Sequence, residues 1–175
     1  SKYGIVGHHV NLTSRIESFT VGGQILASEY TIRDSQTEVI LGETAEVSAK
    51  GIKDPIRIHE VLGMAAPHHV SLEEITEQMS TIVPEISITL SELSGKAIDN
   101  AAIQAFIIAV SKSCRHIKST EPLERFTNLS ITFSENNSWK NEQIYAKVTA
   151  RGEQVEQFSC YTLNITSCPE IISNE

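Results

Sequence analysis

The apolar positions follow two different rhythms along the 175 residues. Over the first third, short runs of different period succeed one another. "YGIV" reads as the end of a strand, Val10 to Phe19 as a helix, and "GGQILAS" as a turn leading into a strand. "SEYTIRD" reads as a second helix and "AEVSAKGIKDPIRIHEVL" as a hairpin turning at Gly51 to Pro55. That order predicts an α/β segment. After Met79 the period is mostly two: "EISITL" sets Ile86, Ile88 and Leu90 on one face, "NLSITF" sets Leu129, Ile131 and Phe133, and "QIYAKVT" sets Ile144, Ala146 and Val148. With "AFIIAVS" and "FSCYTLNIT" these make at least five strands separated by polar turns, and a small antiparallel barrel or sandwich would leave no edge unpaired.

The two rhythms meet at "GMAAPHHV", residues 63–70, which has small residues, one proline and no periodicity. Just beyond it Ser71 precedes Glu74 by three positions, as in a capping box, with Leu72, Ile75 and Met79 at helical spacing. A short amphipathic helix is expected there. The organisation read from the pattern is a first domain over 1–63, a linker and helix over 64–82, and a barrel over 83–175.

Composition narrows the partners. Apolar residues make up 40% of the chain, enough for a core, and 14 basic against 22 acidic residues leave a net charge of -8. No Lys/Arg stripe could track phosphates, so no nucleic-acid partner is expected. The longest nearly apolar run, "AAIQAFIIAV", is broken by Gln104 and is about half of what a membrane-spanning helix needs, so no membrane segment is expected. "SKYGIVG" has neither the apolar core nor the cleavage site of a signal peptide, and the expected compartment is the cytoplasm. Cys114, Cys160 and Cys168 share no C-x-x-C spacing and read as free thiols rather than a zinc site. His8 with His9, and His68 with His69, read as surface or capping residues, because adjacent side chains point in different directions.

The most informative chemistry lies in "VGHHVNLTSRIESFTVGGQI". Asn11 and Arg15 are four residues apart and share one helix face, so an amide that donates and accepts and a forked cation can address one ligand together. The alternative is that Arg15 pairs with Glu17 or another acid on a solvated face.

"YGIVGHHVNLTSRIESFTVGGQILASEYT" followed by "AKGIKDPIRIHEVLG" resembles the C-terminal half of a class III adenylyl/guanylyl cyclase catalytic domain. The family patterns V-N-x-x-x-R, G-Q-I-x-x-S and K-G-x-x-x-P-x-x-x-x-E-V occur in order and at family spacing, over residues 1 to about 63. The resemblance implies a partial cyclase-type, ferredoxin-like α/β segment, and hence an α+β chain once the barrel is added. It implies cyclisation of ATP or GTP, with the ribose 3′-oxygen attacking the α-phosphorus and pyrophosphate leaving. Asn11 would orient the ribose, and Arg15 would contact phosphate oxygens as charge builds. The base-selecting position falls at Gly4, which has no side chain with which to read a base edge, so ATP and GTP both stay open.

Two-metal phosphoryl chemistry needs carboxylates that hold Mg or Mn. In the family two aspartates and a base-reading lysine precede the stretch that corresponds to this chain, and no D-x-x-G-F-T-like stretch occurs among its residues. The resemblance therefore implies half a site: no metal held by this chain, no turnover by it alone, and dependence on a homodimer or on an N-terminal half. The competing expectation is a non-enzymatic dimerisation or regulatory module that keeps a cyclase-like surface.

The second segment resembles, in strand rhythm and in "AVSKSC", a PilZ-like barrel, the kind of module that in some bacterial signalling proteins binds cyclic di-GMP. Binding members carry Asp/Asn-x-Ser-x-x-Gly there, whereas Ala109 and Cys114 stand at the polar and glycine positions, and the upstream R-x-x-x-R is missing. A divergent, non-binding accessory barrel is expected, with Ser111 and Arg115 the residues to examine. Trp139, in a polar loop, reads as a packing cap.

Overall fold

The computed structural model describes residues 5–48, 54–73, 77–94, 97–98 and 101–169. The chain divides into two compact units, Ser1–Ile75 and Thr76–Glu175.

The first unit opens with α1 (His8–Glu17), whose apolar positions Leu12 and Ile16 are one turn apart and buried. Gly23 follows in a left-handed conformation, at φ 82°, closing the turn that carries the chain into β1 (Leu26–Ser28). Ser28 caps α2 (Glu29–Arg33): its hydroxyl accepts from the Thr31 amide at 3.2 Å. Glu29 in the first turn and Arg33 in the last both suit the helix dipole.

β2 (Val39–Val47) and β3 (Ile56–Met64) form an antiparallel hairpin running from Val47 opposite Ile56 to Val39 opposite Met64. On its other side β3 pairs with β1, and beyond that with β4 (Val70–Ser71). Ile58, fully buried at the centre of β3, forms the unit's apolar interior with Val47, Ile56, Leu12 and Ile16.

The second unit is a closed antiparallel barrel. Its strands are β5 (Ser80–Ser94), β7 (Ile103–Val110), β8 (Cys114–Ser119), β11 (Phe158–Ser167), β10 (Gln143–Val155) and β9 (Asn128–Phe133), in that order, and β9 returns to pair with β5. A short strand, β6 (Ala97–Ile98), pairs with the end of β5. Inward positions alternate as the period of two requires. Ile88, Leu90, Ala105, Ile107, Ile117, Leu129, Ile131, Ile144, Ala146, Val148 and Leu163 are all buried and fill the interior. Tyr161 enters from β11, and its buried hydroxyl accepts the Leu123 amide at 2.9 Å. Trp139 packs edge-on against Phe133, with ring centroids 5.4 Å apart, and sits on the same core.

Two expectations are corrected. The chain is not a mixed α+β fold with a cyclase-type, ferredoxin-like segment: strands make up 53% of the described residues and helices 10%, so it is a sheet-rich, mostly antiparallel protein. The physical reason is that α1 and α2 are only ten and five residues long, and every pairing of β1, β2 and β4 with β3 is antiparallel, which leaves no crossover helix to build. The helix expected around 71–79 is also not formed by its described residues. Ser71 lies in β4 opposite Gly63, and residues 72–73 and 77–79 are irregular; residues 74–76 lie outside the described residues. Gly63 allows that pairing, since a Cβ there would stand 2.4 Å from the Val70 carbonyl oxygen.

Candidate functional site

The outer face of α1 carries the paired amide and guanidinium. With Leu12 and Ile16 turned inward, Asn11 and Arg15 fall on the exposed side, one helical turn apart. The helix has no side-chain cap at Gly7 and no acid in its first turn, so its N-terminal end contributes little, whereas Arg15 in its last turn suits the helix dipole. Polar side chains satisfy some of its carbonyls instead: Thr13 donates to the His9 oxygen at 2.9 Å and Ser18 to the Arg15 oxygen at 2.6 Å. Gly4 lies outside the described residues.

Asn11 lines a groove of about 470 Å³ together with His8, Glu29, Tyr30, Glu46, Asp54, Pro55 and Arg57, whereas Arg15 lines neither that groove nor the larger one beside it. Three carboxylates face one guanidinium there, and Arg57 is already paired with Glu29 at 3.0 Å. That pair is half exposed and contributes little to stability. Arg15 forms no ion pair with Glu17 or any other acid among the described residues.

The other motif residues with described positions work within the sheet. The Gln24 amide donates to the Glu60 carboxylate at 3.1 Å, Leu26 stands opposite Glu60 in the β1–β3 ladder, and the Val61 amide donates to the Ile25 carbonyl at 2.9 Å. The G-Q-I-x-x-S and E-V stretches are thus one structural joint. Gly42 belongs to the same joint, because a Cβ there would meet the Glu60 carboxylate at 2.9 Å. Lys50 and Gly51 lie outside the described residues.

Among the described residues no group of three or more His, Cys, Asp or Glu could hold a metal ion. His8 and His9 meet only edge to face, with ring centroids 5.6 Å apart on an exposed surface, and His68 and His69 are exposed. Among the described residues, no helix is long and apolar enough to cross a membrane.

In the barrel, Ser111 and Arg115 are taken up by their own turn. The Ser111 hydroxyl donates to Glu77 at 2.6 Å and accepts from the Cys114 amide at 3.1 Å. Arg115 donates to the Ser111 and Cys114 carbonyls at 2.6 and 2.9 Å, and burial lowers its pKa despite the nearby Cys168 and Cys114 thiols and Glu77. Ala109 is buried, opposite His116 in the β7–β8 ladder just past a β-bulge. All three cysteines are free and half-buried.

Two clusters were not legible beforehand. Lys118 lies over Phe106 and Phe158, 5.3 and 5.0 Å from the ring centroids, and pairs with Glu85 at 2.6 Å on the barrel's outside. Glu77 enters the turn between β7 and β8. Both depend on strand register, and only the outward period-two position of Phe106 signals the first.

No family model and no curated protein matches the chain. Among solved structures the chain is similar to one described as the crystal structure of the guanylyl cyclase Cya2, with 46% sequence identity over 41% of this chain and 36% of that one, at a TM-score of 0.39. The chain therefore spans little more than a third of that protein's length, and at this TM-score the superposition carries no argument about the fold.

Proposed function

We propose that the first unit is the C-terminal portion of a class III nucleotide cyclase catalytic domain and supplies one side of its site. The observation that carries this reading is an exposed amide and an exposed guanidinium, one turn apart on a helix anchored from beneath by Leu12 and Ile16, with the guanidinium unpaired by any acid among the described residues. A cation aimed at a ligand must be free of internal partners yet held in place.

In this reading Asn11 hydrogen-bonds the ribose and fixes the 3′-hydroxyl for attack on the α-phosphorus. Arg15 donates to the phosphate oxygens, whose charge rises as pyrophosphate leaves. Metal ions supply activation of the attacking oxygen and shielding of the leaving group when bound, and the carboxylates that hold them come from outside this chain. The nucleotide is ATP or GTP. The chain alone is inactive, and activity arises in a homodimer with complete domains or with an N-terminal half. The barrel is an accessory domain, PilZ-like in strand rhythm, whose candidate ligand residues Ser111 and Arg115 are already satisfied internally. Its setting is intracellular signal transduction of the bacterial type.

Complementation tests the proposal. A class III cyclase domain that keeps its metal aspartates but has lost its transition-state arginine is mixed with the full chain, and cyclic nucleotide is measured with Mn·ATP and Mn·GTP. The wild-type chain restores product and Arg15→Ala does not. Product formation that ignores Arg15, or none from the wild-type mixture, overturns the reading.

A further inference from the structure

The turn between β7 and β8, Ser111 to Ser113, holds an anion in a set of donors. One Glu77 carboxylate oxygen accepts the Ser111 hydroxyl at 2.6 Å and the Ser113 amide at 2.8 Å. The same Ser111 oxygen accepts the Cys114 amide at 3.1 Å, so the hydroxyl proton has one direction to go. Arg115 then clamps the turn by donating to the carbonyls of Ser111 and Cys114. The charged groups that face Glu77 are Lys112 in the turn and Arg115 on β8; the thiols of Cys114 and Cys168 act on that guanidinium as well. The result is a small site with two aligned donors and two nearby cations, filled by a side chain three residues before β5 begins at Ser80.

We propose that Glu77 is a strap: its carboxylate fastens the segment entering the barrel onto the β7–β8 turn and, by filling the donors there, closes that turn to oxyanions from outside. The site's ligand class is a carboxylate or phosphate oxygen, and the protein provides the occupant itself. A strap of this kind fixes the path of residues 77–79, which lead into β5. The Ser111 hydroxyl, followed by the Ser113 amide, holds the Glu77 carboxyl below its ordinary 4.5. A carboxylate with a depressed pKa contributes stability that is fully present above the unfolded value and is lost as pH falls through the folded one. The strap is therefore closed at neutral pH and opens only in acid, at a pH below the carboxyl's ordinary 4.5.

The test uses the full chain, with Trp139 fluorescence as the check that the barrel is folded. The protection factor of the Ser113 amide, its intrinsic exchange rate at each pH over the rate measured, is followed by NMR in wild type and in Glu77→Gln and Glu77→Ala at pH 7, and in wild type as the pH is lowered. Wild type at pH 7 protects this amide; both variants at pH 7, and wild type once the Glu77 carboxyl is protonated in acid, lower its protection factor at least tenfold, while that of Ile131 in the core is unchanged. Inorganic phosphate at pH 7 then shifts the Ser113 resonance in Glu77→Ala and leaves wild type unmoved. Unchanged Ser113 protection in Glu77→Gln overturns the strap. Equal phosphate response in both proteins, or none in Glu77→Ala, overturns the closed oxyanion site.

Discussion

Leu12→Ala separates the anchoring of α1 from its chemistry. A ten-residue helix without an N-terminal side-chain cap is marginal on its own, so its population rests on two side chains, Leu12 and Ile16, each 6% exposed. Truncating a buried leucine costs about 2–5 kcal/mol in a closed core. Leu12 borders both surface grooves, so water and neighbours can fill the gap and the lower end applies, about 2 kcal/mol. That is roughly a 30-fold rise in the open population of the helix. Hydrogen exchange of the α1 amides in the full chain reads it directly, with the β9 amides as an internal reference. Arg15→Ala, which removes an exposed side chain, changes α1 exchange by no more than about 0.5 kcal/mol, or twofold. Equal exchange in Leu12→Ala and wild type would refute the anchoring argument, and so would an Arg15→Ala effect as large as that of Leu12→Ala.

Other expectations follow from single contacts. Tyr161→Phe keeps the ring but strands the buried Leu123 amide, lowering barrel stability by about 1–3 kcal/mol; urea melts followed by Trp139 fluorescence measure it, and an unchanged midpoint counts against that bond. Gly63→Ala drives a methyl into the Val70 carbonyl and Ser71 Cα, and the strain of about 1–3 kcal/mol shows as faster amide exchange at Leu72, which donates to the Leu62 carbonyl. The chain alone yields no cyclic nucleotide from Mn·ATP or Mn·GTP; turnover abolished by Arg15→Ala would show that it holds a complete site.

The elements with a strong period were legible in the sequence. Leu129, Ile131 and Phe133 on one face, and Ile144, Ala146 and Val148 on another, are the barrel's interior, because a half-buried strand leaves no other place for alternating apolar residues. Val10 to Phe19 is a helix within two residues of its observed ends, since Leu12 and Ile16 define its buried stripe. The balance of helix and sheet was not legible, because short helical runs look alike whether they cross between parallel strands or decorate an antiparallel sheet. Ser71 was misread for a similar reason. Its capping-box spacing is local, whereas the space beside Gly63 that draws it into β4 is set by tertiary pairing. That Asn11 and Arg15 lie one turn apart on one helix was legible from spacing, but the Gln24–Glu60 bond and the Glu77 contact join residues 36 and 34 or more positions apart, which no periodicity reports.

The central claim is that Arg15 acts on the transition state of a cyclisation, and steady-state kinetics of the complemented assembly with an Arg15 series test it most directly. The account predicts that Arg15→Ala lowers kcat by about 10²–10³ with KM changed little, and that Arg15→Lys recovers part of the loss because a single point of charge replaces a fork. A raised KM with kcat intact, or kinetics indifferent to all three residues at this position, would contradict it.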